Sequence, residues 1–328
     1  MELINSIKQK TVLVDGSKKI LAKGNQVYCR NNSKTEKLLK LPVKKWQYFA
    51  MKNHLLTRLL RLGVHHLVYD GSGGYYCVYN KQCARFTADG TIVGKPVDLV
   101  GGRPLRVDIY QGMMIYGEYR SNPERSSVSV MAFDGYSHKT LFNVENVRHI
   151  HSVKVHDNKI YYSTGDYGNE AGIWCWDGKK YQTLLQGGQQ CRAVDFILTK
   201  DGIYYGTDTP LEQNYIYKAS YDGSLAALQK VGGSVFYMSE QCGRYWLATV
   251  VEPSEVNKSK YVELWVSSPE NSTKWTLIDT FKKDVWPMKL FQYGQIQFPY
   301  VYNPDANECW LYLQGTKGSG RSLKYTIS

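Results

Sequence analysis

Apolar and polar positions alternate in short runs along most of the chain, and the runs end at Gly, Asn or Asp. That is the period of half-buried β-strands joined by tight turns. One hairpin element recurs: a turn bearing Gly or Asn, an apolar and aromatic run, then small or acidic residues. Its copies are GNQVYCRNN from Gly24, GGYYCVYN from Gly73, QGMMIYGEYR from Gln111 and DNKIYYSTGD from Asp157, then KDGIYYGTD from Lys200, CGRYWLATV from Cys242 and YGQIQFPYVY from Tyr293. They lie roughly 40–50 residues apart, the period of a four-stranded propeller blade. In the fourth unit HSVKVH reads as the inner strand, DN as the turn, and KIYYSTGD, GIWCW and KKYQTLL as the next three strands. The pattern predicts an all-β chain, a single closed β-propeller over residues 1–328 with seven four-stranded blades. Six or eight blades stay open as counts, because the first and last units are the least regular. A strand around Thr11–Val14 is expected to complete the final blade and remove its edges.

One stretch breaks the alternation. WQYFAMKNHLLTRLLRLG, from Trp46, has apolar residues at 46, 49, 56 and 60, and Gly63 is a natural stop. It predicts a short amphipathic helix near residues 44–62, decorated by Lys44, Lys45, Lys52, Arg58 and Arg61. Such a helix could lie on an anionic membrane surface or simply cap the propeller with solvated charges.

Composition sharpens this picture in three places. Twenty-seven tyrosines against ten prolines suit β structure. No run of 18 apolar residues exists, and the first residues lack the apolar stretch of a signal peptide. Seven scattered cysteines, of which only Cys77 and Cys83 lie close together, match no metal knuckle; reduced thiols in a cytoplasmic protein are expected. Of the twelve net positive charges, residues 1–62 carry eleven, with fourteen Lys/Arg against three Asp/Glu. The body is close to neutral, so nucleic acid is not an expected partner, whereas a peripheral position at the inner face of a membrane is.

The strand-end segments WDGKKYQTLL, FDGYSHKTLF and NSTKWTLI resemble incomplete Asp-box turns of sialidase-type propellers. RHIHSVKVHDNKIYYSTGD (148–166), with GEYR before it and CRAVDFILTKDGIYYGTD after it, resembles sialidase-like propeller proteins of bacterial envelope-polysaccharide clusters. That resemblance spans about residues 55–250, includes RLLRLGVHHL, and implies glycan chemistry without assigned catalytic residues. WD-repeat and kelch signatures are absent.

Hairpin geometry sets the start of an inner strand beside the end of its partner. His149 and His151 then fall beside Asp166, Arg192 beside Asp208, and Arg103 beside Glu118, Tyr119 and Arg120; His65 and His66 map to the same rim. Propellers commonly bind ligands there. His149 and His151 could serve acid–base chemistry, ligate a metal or make structural hydrogen bonds; with no third ligand at a fixed spacing, neither a metal nor another cofactor is expected. Asp166 and Asp208 suit turn capping as well as chemistry. Arg192 opens a buried strand and needs an anionic partner, Asp208 or a substrate group. Tyr167, Trp286 and Tyr300 are placed near the rim and could stack on sugars or fill the space between blades.

These residues point to a carbohydrate-active enzyme acting on envelope glycan, a nucleotide-sugar or a lipid-linked sugar. In that scheme Glu118 or Asp166 handles the proton with His151 and Tyr119. Arg120, His149, Arg192, Asp208, Tyr167 and Trp286 hold the substrate. A polysaccharide lyase using His, Tyr and Arg is an alternative. A non-catalytic glycan- or protein-binding scaffold is another, and a rim of mutually neutralised acids and bases would favour it.

Overall fold

The computed structural model describes residues 1–268 and 270–326. The chain is all-β. Four sheets have four antiparallel strands each in chain order, starting at Val64–Tyr69, Val107–Tyr110, Ile150–His156 and Ala193–Thr199. A fifth begins at Lys10–Asp15 and gains Tyr300–Asn303 as a parallel strand beside it. The remaining strands join through a short pairing of Arg244–Val251 with Gly294–Gln297. On one side of that junction lie Val235–Gln241, Tyr261–Ser267 and Trp275–Lys282; on the other lie Glu308–Gln314, Arg321–Thr326 and Glu2–Ile7.

Burial runs in a gradient across each sheet. The second strands Gly74–Tyr79 and Gly202–Thr207 are buried throughout, whereas the outermost strands Tyr181–Gln186 and Leu225–Lys230 are largely exposed. Inner strands meet neighbouring sheets on both faces, so their sequences read as continuous apolar runs. The turns follow local chemistry: Asp157 and Asn158 both take positive φ, 47° and 56°, as a two-residue hairpin loop requires. Gly206 sits where Val235 of the next sheet leaves no room for a Cβ.

One polar contact ties three sheets together at their inner edge. Asp195, with no exposed surface, pairs with Arg106 and with Lys154 (3.0 Å), and accepts from the Met238 backbone N–H at 2.8 Å. Burial alone would raise its pKa, but the two cations outweigh that and hold it below the ordinary carboxylate range.

Three expectations are corrected. The strand around Thr11–Val14 does not complete the last sheet; it is the inner strand of the first, and Glu2–Ile7 pairs with Arg321–Thr326 instead. The hairpin copies from Gly24 and Tyr293 are out of phase: the first supplies a third strand, and the second crosses from Gly294–Gln297 to Tyr300–Asn303. Both carry turn residues like the true copies, and local turn chemistry does not encode strand rank. The single helix is two: α1 (Lys45–Ala50) and α2 (His54–Leu59). Asn53 divides them, because its side chain accepts from the Leu55 and Leu56 backbone N–H groups and starts a new helix. A third short helix, α3 (Met288–Phe291), lies against α2, where Arg58 is buried and pairs with Asp284 at 2.6 Å. Arg58 is thus a clamp and not a surface charge. Among the described residues no helix is long and apolar enough to cross a membrane. All seven cysteines are free thiols.

Candidate functional site

The site grows from irregularities at the starts of inner strands. Register shifts lie between Val64 and His66, between Ile150 and Ser152, and between Val235 and Tyr237. Each inserts one residue (His65, His151 and Phe236), and such bulges re-aim side chains. Across that shift His149 and His151 still share one side. Their Nε2 atoms face each other at 2.9 Å, and Asp166 Oδ1 lies 3.6 Å from His151 and 3.8 Å from His149. His151 Nδ1 bonds the Ala193 carbonyl at 3.0 Å, and His149 Nδ1 bonds that of Arg120 at 3.4 Å. The third ligand missing from the sequence spacing is Asp166, and these three buried residues could hold a metal ion.

Asp166 also accepts from Arg148 at 2.7 Å and lies 3.3 Å from Arg192, which gives Asp208 two further bonds at 3.0 and 3.2 Å. Burial opposes its charge, but His151 and Arg192 outweigh burial and hold Asp166 well below the usual carboxylate range. Burial and neighbouring His151 lower His149 to about 3. The Tyr119 ring lies 4.3 Å from that of His149, and burial with nearby Asp208 and Asp166 pushes its hydroxyl up to about 12. Tyr167 lies at this cluster, 5.8 Å under the Arg192 guanidinium.

Other expected site residues lie elsewhere. Glu118 accepts from the Ser129 backbone at 2.8 Å and lies 3.9 Å from Arg120, which otherwise bonds Ser126 and Ser127. Glu118 is therefore committed to its own sheet. Arg103 does not pair with it: its guanidinium bonds the Arg61 carbonyl at 3.0 Å and His65 at 3.1 Å. Trp286 packs on Phe291 beside α3, and Tyr300 reaches Asp108 at 3.4 Å between inner strands.

A cavity of about 870 Å³ opens beside the cluster, and Tyr119, Arg120, Arg148, His149, His65 and His66 help to line it. Nine lysines and arginines border it, and no aspartate or glutamate does. Arg58, Arg106, Arg120 and Arg148 have carboxylate partners behind the wall. Among the described residues Lys10, Arg61, Lys81, Arg103 and Lys289 have none within 4 Å. Burial and the charges of Arg106 and Arg103 lower Lys10 to about 7, and burial and Arg61 lower Arg103 to about 10. The opposite wall is neutral: Gln292, Gln295, Gln297 and Gln314 form an amide chain linked at 2.8–3.2 Å.

Sequence reasoning missed Lys10, Arg106, Arg148 and the glutamine wall. Gln295 and Gln297 carried a usable signal, polar residues alternating on an apolar strand. It missed Glu252 too. Burial and Asp208 raise the pKa of this carboxyl, which bonds Tyr293 of the cavity wall.

No protein-family profile matches the chain, and no curated protein matches its sequence. Solved structures do. The chain is similar to the WD40 β-propeller domain of Doa1 (12% identity, TM-score 0.58, covering 99% of this chain and 95% of that one). It is also similar to a chain of a mitotic checkpoint complex (10%, 0.55, 99% and 91%) and to the AfRom2 CNH domain (9%, 0.55, 98% and 96%). At such identities the likeness establishes the β-propeller fold alone.

Proposed function

We propose that this chain is one closed propeller of seven four-stranded blades whose central channel binds a multiply charged anion, a glycan precursor carrying a diphosphate. The observation that carries this reading is the cavity bordered by nine cations and no carboxylate. Like charges held together without counter-ions are costly, and an anionic ligand removes that cost. The sugar part rests on the facing wall, because glutamine amides and tyrosine rings suit hydroxyls and sugar faces. The likeness to sialidase-type turns favours the same ligand class. The rim carboxylates are already paired with arginines, which favours binding over turnover.

Titration calorimetry with inorganic pyrophosphate, a uridine-diphosphate sugar and the free sugar tests the reading. The nucleotide sugar should bind best and the neutral sugar alone weakly, and Arg103→Ala should weaken both anions about tenfold or more. Absence of binding by either anion at low salt would overturn it.

An enzymatic use of the channel is the second reading, favoured by Glu252. Burial and Asp208 raise its pKa, and it bonds Tyr293 of the cavity wall, through which it can give a proton to a leaving oxygen. Turnover of the bound sugar diphosphate, lost in Glu252→Gln with binding retained, supports it; no turnover leaves the chain a binding scaffold.

The face above the channel suits an anionic membrane. Trp46 (53%) and Phe49 (64%) on α1 and Val285 (90%) beside α3 are exposed, as are Leu56, Leu60 and Leu290. Lys44, Lys45, Lys52 and Arg61 are exposed on the same helical segment, and Lys52 lies 5.2 Å from the Phe49 ring. Exposed apolar side chains with cations on the same segment match a bilayer interface, and a lipid-linked sugar presented there would meet the channel.

A further inference from the structure

We propose that His149, His151 and Asp166 form a binding site for a divalent transition-metal cation of the zinc class in the channel wall. The separations of their donor atoms are 2.9, 3.6 and 3.8 Å. The point equidistant from three atoms so spaced lies about 2.0 Å from each, which is the Zn–N and Zn–O bond length. The donor spacing therefore matches that around a bound cation.

The hydrogen-bond pattern leads to the same conclusion independently. Both Nδ1 atoms face backbone carbonyls, of Ala193 and Arg120, so both carry hydrogen and donate. The Nε2 atom of each ring then faces the other ring and a carboxylate oxygen. Arg192 reaches Asp166 Oδ1 at 3.3 Å, but the two Nε2 atoms then face each other with no hydrogen between them, and a cation at the centre turns that repulsion into coordination. Carbonyl bonds at the distal ring nitrogen are also the usual means of fixing ligating histidines. Close by, buried Asp208 Oδ1 has no hydrogen-bond partner among the described residues. His149 also borders the channel, which leaves a coordination position open to a ligand oxygen.

The test uses the full chain, stripped with chelator and then titrated with Zn2+ or Co2+. One equivalent should be retained through gel filtration, the melting temperature should rise by several degrees, and Co2+ should give visible d–d bands. His149→Gln, His151→Gln and Asp166→Asn should each weaken binding about 100-fold or more. His156→Gln, on the exposed end of the same strand, should leave it unchanged. Because a ligand variant could misfold, the unaltered protein decides. If folded protein retains no metal and gives no cobalt bands, the proposal fails. The pair then shares a proton, visible as a protonated Nε2 by nitrogen NMR. Loss of metal binding would leave pyrophosphate binding at Lys10 and Arg103 intact, so the two readings stand or fall apart.

Discussion

Lys10 shows how one residue carries the character of the channel. Its ammonium donates to the His65 carbonyl at 3.0 Å, and burial with Arg106 and Arg103 lowers its pKa to about 7. An unfolded lysine titrates near 10.4, so between about pH 7 and 10 the unfolded chain binds the extra proton and stability rises with pH. Ligand affinity runs the other way. An anion in the channel favours the charged form, so pyrophosphate should bind more weakly as pH rises through about 7. At pH 8 binding should take up close to one proton, read from calorimetry in buffers of different ionisation heat, and Lys10→Met should abolish the uptake. An unchanged proton count in that variant would assign the effect to another group.

Asp195 makes the opposite use of burial. Its folded pKa is depressed, so the stability it contributes is present at neutral pH and lost as pH falls through the carboxylate range. Asp195→Asn strands Arg106 and Lys154 and should cost about 3–5 kcal/mol. Differential scanning calorimetry should then show melting roughly 5–10 °C lower; a variant melting like the parent would contradict the tie between sheets.

At the scale of elements, bulges and short helices decide what the channel presents. The shift that inserts His151 lies at the strand start, where its ring meets that of His149. The helical segment matters through its break. Asn53 separates α1 from α2, so α2 is held down by Arg58 while α1 keeps Trp46 and Phe49 exposed. Vesicles of anionic lipid should therefore float with the protein at low ionic strength. Lys44→Gln, Lys45→Gln and Lys52→Gln together should cut binding about tenfold or more, and Trp46→Ser with Phe49→Ser should cut it even in low salt. Equal flotation with neutral lipid would point to apolar contact without charge, and no flotation at all would retire the membrane surface.

For the whole molecule, the central issue is where the sheet edges go. Glu2–Ile7 covers the outer edge of Arg321–Thr326, and Tyr300–Asn303 runs beside Lys10–Asp15, so both ends of the chain are stitched to distant segments. Thr11 adds a backbone bond to Ser322 at 2.8 Å. Removing residues 1–8 exposes a strand edge and separates these ends, and should lower the melting temperature by more than about 5 °C and promote association. A truncated chain melting within about 1 °C of the parent would show that this pairing does not hold these segments together.

The sequence by itself determined the strands, their turns and the repeat, because alternation and positive-φ turn residues are local properties. The fourth unit, from Ile150, matches its strands nearly residue for residue. It also placed His149 and His151 beside Asp166 and Arg192 beside Asp208, since hairpin pairing is a short-range constraint. Only the tertiary structure decided which strand finishes the last sheet, because Glu2–Ile7 and Arg321–Thr326 lie at opposite ends of the chain. It alone gathered Lys10, Arg103 and Arg106 against Gln295 and Gln297 around one cavity. Each of these is an ordinary polar residue near a strand end. Their joint meaning comes from charges brought within a few ångströms of one another, an interaction that depends on distance in space and leaves no period or spacing in the chain.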